Sequence, residues 1–219
     1  MKKTISILGS TGSIGKSTIQ IILKNKSKYN VLLLVANKNY QELCKQAIQL
    51  KSKFIYINDL SKLNKIKKII GKKKIKIIYN FDDINKIFKK KIDITMSAIS
   101  GIDGLKYNLT IIKHTKQILL ANKESIICGW NLIKKELKKY KTTYKPVDSE
   151  HFAIHQLLKS INITLLKDIY ITASGGPFLK TKLKDLKNIS IKKALNHPKW
   201  KMGRKISIDS ATLMNKIFE

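Results

Sequence analysis

Two carboxylates stand two positions apart in Pro146-Val147-Asp148-Ser149-Glu150-His151, within a chain that has only 14 acidic residues. Pro146 disfavours helix at Lys145, and residues i and i+2 of an extended segment share a face, so Asp148 and Glu150 can grip one cation. Carboxylate oxygens with no cysteine beside them select hard ions, Mg²⁺ or Mn²⁺, over zinc. The same residues serve equally well as a helix cap, with Asp148 or Ser149 satisfying backbone donors and Glu150 favouring the dipole. His151 and His155 stand four apart, but Phe152 occupies the position at which an HExxH zinc site needs glutamate.

A second chemistry lies near the start. Gly9-Ser10-Thr11-Gly12-Ser13-Ile14-Gly15 precedes the helical run from Lys16 to Leu23. Glycines let the chain turn tightly and bring backbone N–H groups onto a phosphate at a helix N-terminus. The spacing is GxxGxxG, not the GxGxxG of the usual dinucleotide fingerprint. After the next apolar run come Asn37, Lys38 and Asn39, where an NAD site would present Asp or Glu to the ribose hydroxyls. A lysine and an asparagine there suit a 2′-phosphate, which favours NADP; an ordinary exposed loop lysine is the alternative.

The elements that must position these groups follow from periodicity. Short apolar runs alternate with longer stretches of helical period, the pattern of an α/β fold with a parallel sheet and helices on both faces. Strands are expected at Lys3–Leu8, 30–36, 53–57, 75–79, Ile92–Ser97, 117–120 and 142–147. From Asp148 the texture changes: a helix at 150–159, a strand at 167–172, an irregular stretch at 173–204 and a last helix from Asp209-Ser210 to residue 219. This divides the chain into a Rossmann-like domain, 1–147, and the start of an α+β domain, 148–219. So long a loop as 173–204 in a compact protein is usually a functional lid or disordered.

Composition restricts the function classes. The formal charge is +31, yet only one of the 45 basic residues, Arg204, is an arginine. The lysines are spread along the chain, without the interleaved aromatics that stack bases, so they read as solvated faces and no nucleic-acid site is expected. No apolar run is long enough for a membrane span, and the opening Met-Lys-Lys-Thr-Ile-Ser-Ile-Leu reaches Gly9 too soon for a secretory signal, so a cytoplasmic protein is expected. Cys44 and Cys128 lack CxxC spacing and are expected as reduced, half-buried thiols.

Taken in order, Gly9 to Gly15, Leu119-Leu-Ala-Asn-Lys-Glu-Ser125, Pro146 to His151, Ser174-Gly-Gly-Pro-Phe178 and Met202 to Lys216 resemble the motif series of the 1-deoxy-D-xylulose 5-phosphate reductoisomerase family. That resemblance implies an enzyme that uses NADPH and Mg²⁺ or Mn²⁺ to rearrange and reduce a sugar phosphate. It implies that Thr11, Gly12, Ser13, Ile14, Lys38, Asn39, Asn122, Glu124 and Gly203 bind the cofactor, and that Asp148, Glu150 and Glu219 bind the metal. Lys123, Ser149, Glu150, Ser174, His197, Ser210, Asn215, Lys216 and Glu219 would hold substrate, with Lys123, Glu150 and His197 in catalytic roles. On a single terminal helix, Ser210 would lend backbone donors to the substrate phosphate, and Asn215, Lys216 and Glu219 would share a face.

The resemblance also marks departures. Asn37 stands where the family has glycine, and Ile217-Phe218 replaces a smaller pair before Glu219. Family members continue well past this point, so the chain is expected to be a C-terminally truncated member, homodimeric when the remainder is present. An NADP-binding remnant with little turnover unless a partner chain completes it is the alternative.

Overall fold

The first strand, β1 (Lys3–Leu8), is buried on both sides of its pleat: Ile5 and Ile7 face one way, Ser6 and Leu8 the other. Burial on both faces requires helices above and below, and the chain supplies them alternately. In order follow α1 (Ser13–Lys24), β2 (Tyr29–Ala36), α2 (Tyr40–Leu50), β3 (Phe54–Ile57), α3 (Leu63–Ile70), β4 (Lys76–Ile78), α4 (Ile84–Ile87), β5 (Ile92–Ser97), α5 (Asp103–Ile112), β6 (Thr115–Leu120), α6 (Lys123–Lys139) and β7 (Thr143–Pro146). The structure, a computed structural model, describes residues 1–219. The chain divides into two units, Met1–Asp148 and Ser149–Glu219.

All seven strands of the first unit pair in parallel, in the order β4-β3-β2-β1-β5-β6-β7. Two apolar layers cover the sheet. Ile19 and Ile22 of α1, Leu43 and Ala47 of α2 and Ile66 and Ile70 of α3 pack on Ile7, Leu34 and Ile55. Ile84 of α4, Ile111 and Ile112 of α5 and Ile133 of α6 pack on Leu33, Val35 and Ile118 on the other face. Because the connections leave β1 and β5 on opposite sides, the carboxyl ends of these two neighbours flank the crevice at which open α/β sheets bind ligands. No helix is long and apolar enough to cross a membrane.

The second unit holds α7 (Ser149–Leu158), α8 (Ile191–Leu195), α9 (Arg204–Ala211) and α10 (Met214–Ile217), with 3₁₀ turns at Ile163–Leu165, Gly176–Phe178 and Leu183–Asn188. Four expectations are corrected here. No strand forms at 167–172: nothing pairs with that segment, and Ile169, Tyr170 and Ile171 stay exposed, whereas a strand needs a partner for its backbone groups. The stretch 173–204 is less irregular than its composition suggests; Ser190 caps α8 by accepting from Lys193 N at 3.3 Å. The terminal helix is two helices. It starts five residues earlier than expected, after Gly203, and Asp209 lies inside it, paired with Lys205 at 2.7 Å. Leu213, at φ 59°, breaks the run before α10. Finally, the two thiols are not alike: Cys44 is buried, which pushes its thiol up, and Cys128 is exposed.

Two features of the first unit lend themselves to test. At Gly15 an added Cβ would stand 2.3 Å from the Gly9 carbonyl oxygen, whereas at Gly12 the same oxygen would be 3.3 Å away. Gly15→Ala is therefore expected to cost about 1–3 kcal/mol in denaturant melts and Gly12→Ala markedly less; equal losses would show that the contact does not fix the turn. At the other end of the sheet, Asp93 accepts from the backbone and hydroxyl of Thr4, both at 2.8 Å, and from Lys116 at 2.7 Å. Lys116, then Thr4, hold this carboxyl down at about 2. A folded value below the unfolded one of about 3.9 means that the stabilisation is complete above that pH and is lost as pH falls through the folded value. Asp93→Asn is expected to destabilise by about 1 kcal/mol at neutral pH, a figure discounted for the exposure of Lys116, and the deficit should vanish between about pH 4 and about pH 2. A deficit that persists at the acid end would show that the charge of Asp93 is not its cause.

Candidate functional site

The Gly-rich turn runs from the carboxyl end of β1 into α1. Gly12 is the N-cap, its N–H donating to the Gly9 carbonyl at 3.0 Å, and the first intrahelical bond comes from Lys16 N to Gly12 O at 2.9 Å. Ser13, Ile14 and Gly15 therefore enter the helix without intrahelical acceptors for their N–H groups. A cleft of about 960 Å³ opens here, lined by Gly9, Thr11 and Gly12 from the turn, Asn37 after β2, Asn58 after β3, Ala98 to Ser100 after β5, and Tyr107 on α5 among others. Sequence reasoning placed Thr11 to Ile14 at this turn but missed Asn58, Tyr107 and Ala98 to Ser100. The run Ser97-Ala-Ile-Ser-Gly101, small residues at the end of a buried strand, was the available signal.

Lys38 is exposed beside the cleft-lining Asn37, and Asn39 caps α2, accepting from Glu42 N at 3.1 Å. Asn37 does not adopt the left-handed backbone that asparagine tolerates. Asn122, buried, is a brace. Its amide donates to the carbonyls of Ile99 and Gly101, the latter at 2.7 Å, and its oxygen accepts from Ser125 N at 2.6 Å, capping α6. All its amide groups are thus engaged in tying the loop after β5 to α6. Glu124 lies in the first turn of α6. Lys123 begins that helix, with Nζ 3.4 Å from Asp148 Oδ2 and both side chains 13% exposed.

In the second unit Lys216 joins two of the acidic residues. Its ammonium contacts Glu219 Oε2 at 2.6 Å and also Glu150 Oε1, while Ser149 Oγ donates to Glu150 Oε2 at 2.5 Å. Burial would raise the Glu150 carboxyl, but the bonds from Lys216 and Ser149 outweigh it and hold the group below the usual range. Burial likewise works against the Lys216 ammonium, and Glu150 and Glu219 more than compensate, keeping it above its ordinary value. Asn215, in the same turn, has a buried amide oxygen without a hydrogen-bond partner.

His197 and Ser174 form a second pair, with Nε2 to Oγ at 3.0 Å. The backbone N–H groups of Lys199 and Trp200 both donate to His197 Nδ1, at 3.2 Å each. A ring nitrogen accepting two donors carries no proton, so the proton is on Nε2 and donates to Ser174. Ser174 also accepts from Gly176 N at 3.3 Å, which leaves its own hydroxyl hydrogen to donate outward. Trp200 stacks on the imidazole, centroids 4.9 Å apart, and is otherwise exposed. Ser210 corrects one expectation: it lies near the C-terminal end of α9, so no helix N-terminus there offers donors to a phosphate. It is instead buried, with its backbone against Gly176, where a Cβ would meet the Ser210 carbonyl at 2.6 Å. Gly203 is the N-cap of α9.

Comparison with known proteins matches these segments in chain order. A family model described as 1-deoxy-D-xylulose 5-phosphate reductoisomerase matches residues 5–129, and one described as that enzyme's C-terminal domain matches 144–219. The reductoisomerase of Pelagibacter ubique is 54% identical over 219 residues, covering 99% of this chain and 56% of the relative; that of Wolbachia pipientis from Culex pipiens is 44% identical over 218 residues, with the same coverage. Among solved structures, the Zymomonas mobilis reductoisomerase in complex with NADPH superposes with a TM-score of 0.86 at 38% identity, covering 100% of this chain and 56% of that one. A reductoisomerase in complex with NADPH, fosmidomycin and magnesium gives 0.88 at 34% identity, covering 99% and 56%. The chain thus spans little more than half the length of the relatives it matches. With a family model covering more than half of its residues, the chain belongs to the 1-deoxy-D-xylulose 5-phosphate reductoisomerase family.

Proposed function

We propose that this chain takes part in the NADPH-dependent rearrangement and reduction of 1-deoxy-D-xylulose 5-phosphate to 2-C-methyl-D-erythritol 4-phosphate, a step of the non-mevalonate route to isoprenoids. The observation that carries the reading is the coexistence, in a member of this family, of a donor-lined turn at the β1/β5 crevice and a Glu150–Lys216–Glu219 cluster. The reading includes, as parts of the family pattern, two domains at 1–147 and 148–219 with a lid at 174–205, a homodimeric assembly and a cytoplasmic location.

The unsatisfied N–H groups of Ser13 and Ile14, with Thr11 and Gly12, would hold the cofactor's pyrophosphate, and the partial positive charge of the helix start favours that anion. Lys38 and Asn39 would take the adenosine end, with Asn122, Glu124 and Gly203 completing the set. The carboxylates of Asp148, Glu150 and Glu219 offer oxygen alone, a donor set that fits Mg²⁺ or Mn²⁺. The paired lysines Lys123 and Lys216 offset two of these three negative charges. When bound, the cation supplies Lewis acidity and NADPH supplies hydride. Ser174, with its hydrogen free to donate, Lys216, Ser210 and Asn215 would hold the substrate phosphate, while Ser149 orients Glu150. His197, fixed as the Nε2–H tautomer, would orient Ser174, and Lys123 and Glu150 would move protons.

Purified chain mixed with NADPH, Mn²⁺ and 1-deoxy-D-xylulose 5-phosphate is expected to consume NADPH, and Asp148→Asn to reduce the rate about a hundredfold or more. Mn²⁺ should raise the melting temperature of the wild type and leave that of the variant unchanged. Turnover indifferent to the substitution would refute the metal assignment. NADPH binding without any turnover would reduce the reading to a cofactor-holding segment.

A further inference from the structure

Asn37 follows β2 at the place where an NAD-preferring fold carries an acidic side chain for the ribose hydroxyls. Its amide oxygen accepts from Asn58 Nδ2 at 3.1 Å. Asn58 in turn offers Oδ1 to two phenols, Tyr107 at 2.9 Å and Tyr56 at 3.4 Å. Asn37, Asn58 and Tyr107 all line the cleft. Tyr56 is only 7% exposed, and Tyr107 packs edge-on against Phe81 with centroids 4.7 Å apart, so neither ring is free to turn away. Burial, with Tyr56 alongside, pushes the Tyr107 phenol up, which keeps it a proton donor.

A carboxamide fits nearly the same space either way round, and only its partners decide which end points where. Here the decision propagates. Two phenol protons need an acceptor, which turns the Asn58 carbonyl toward the tyrosines and its NH₂ toward Asn37. The Asn37 carbonyl must then face Asn58, and the exposed Asn37 NH₂ is turned outward at the mouth of the cleft. A carbonyl there would suit ribose hydroxyls and repel a phosphate; an N–H donor suits a phosphate oxygen. We propose that Tyr107 and Asn58 are positioning residues that select a 2′-phosphorylated dinucleotide, by holding the Asn37 carboxamide with its donors toward the cleft. This rests on the dinucleotide reading above and assigns to two further residues the task of setting its selectivity.

The test is the ratio of NADPH to NADH dissociation constants, measured by the fluorescence of the reduced nicotinamide on binding. Tyr107→Phe keeps the ring and removes the shorter of the two phenol bonds, leaving only the 3.4 Å bond from Tyr56 to orient Asn58; NADPH is expected to weaken about three- to tenfold, with NADH within about twofold of wild type. Asn58→Asp keeps the acceptor for the tyrosines but offers only acceptors to Asn37, which must turn its NH₂ inward and its carbonyl out. NADPH should then weaken about tenfold or more while NADH holds or improves. The neutral Tyr107→Phe separates this from simple charge repulsion. A ratio unchanged in both variants, or an equal loss for both nucleotides in Tyr107→Phe, overturns the positioning role. Wild-type chain that binds NADH as tightly as NADPH overturns the cofactor reading as well, and is recognised before any variant is made.

Discussion

The first unit depends on the absence of a side chain where α1 meets the end of β1. Gly15 lies so close to the Gly9 carbonyl that a methyl group would stand well inside van der Waals contact with its oxygen. That approach lets α1 begin directly over the strand, with its unsatisfied N–H groups directed along the sheet toward the crevice. The sheet does the rest by symmetry of direction. Seven parallel strands release their connections at one end, and at the neighbours β1 and β5 the helices that follow, α1 and α5, lie on opposite faces. The cleft is therefore a consequence of strand order, and the turn lines it with backbone donors of the kind that suit an anion.

In the second unit, charge ties α7 to α10 and the residues that follow it. Glu150 and Glu219 both reach Lys216, and two carboxylates so placed would repel without a cation between them. An ammonium and a divalent ion satisfy the same need with different demands. Lysine tolerates loose geometry, whereas a hard divalent ion asks for several oxygens at short, defined distances. Asp148, already engaged with Lys123, shows the same habit of covering an acidic group with lysine in a chain that has lysine everywhere. The neighbouring Ser174–His197 pair works by hydrogen-bond direction instead: two backbone donors on Nδ1 fix the tautomer, and the serine hydrogen is left over.

How much of this the sequence disclosed depends on how local each cause is. The strands of the first unit were readable because burial on both faces leaves nearly continuous apolar runs, and the boundaries of β1 and β5 coincide with those runs. The Gly-rich turn was readable because its steric requirement is met by residues adjacent in the chain. The end of the chain was not. Nothing in Asp209-Ser210 reveals that Gly203 starts the helix earlier or that Leu213 leaves it through positive φ, since a leucine rarely adopts that conformation. The strand expected at 167–172 failed for a different reason: alternation identifies a segment able to pair, and pairing requires a partner that local pattern cannot supply. Asn58 and Tyr107, separated by 49 residues, were invisible because their relation to Asn37 exists only once β2, β3 and α5 are in place.

A net charge of +31 poses a problem of discrimination that these local networks address. So many lysines attract every anion alike, and at physiological salt the attraction is screened within about 8 Å. Positive potential can raise the local concentration of a nucleotide or a sugar phosphate, but it cannot tell one from another or hold either in a particular orientation. Direction has to come from groups whose hydrogens are fixed by other bonds: the first N–H groups of α1, the Ser174 hydroxyl left over from His197 and Gly176, and the Asn37 amide oriented through Asn58. Each is neutral, and the serine and the asparagine would lose their direction if the neighbour that orients them changed its hydrogen-bonding sense. On the proposed reading, selectivity would be carried by neutral donors set within a non-selective field.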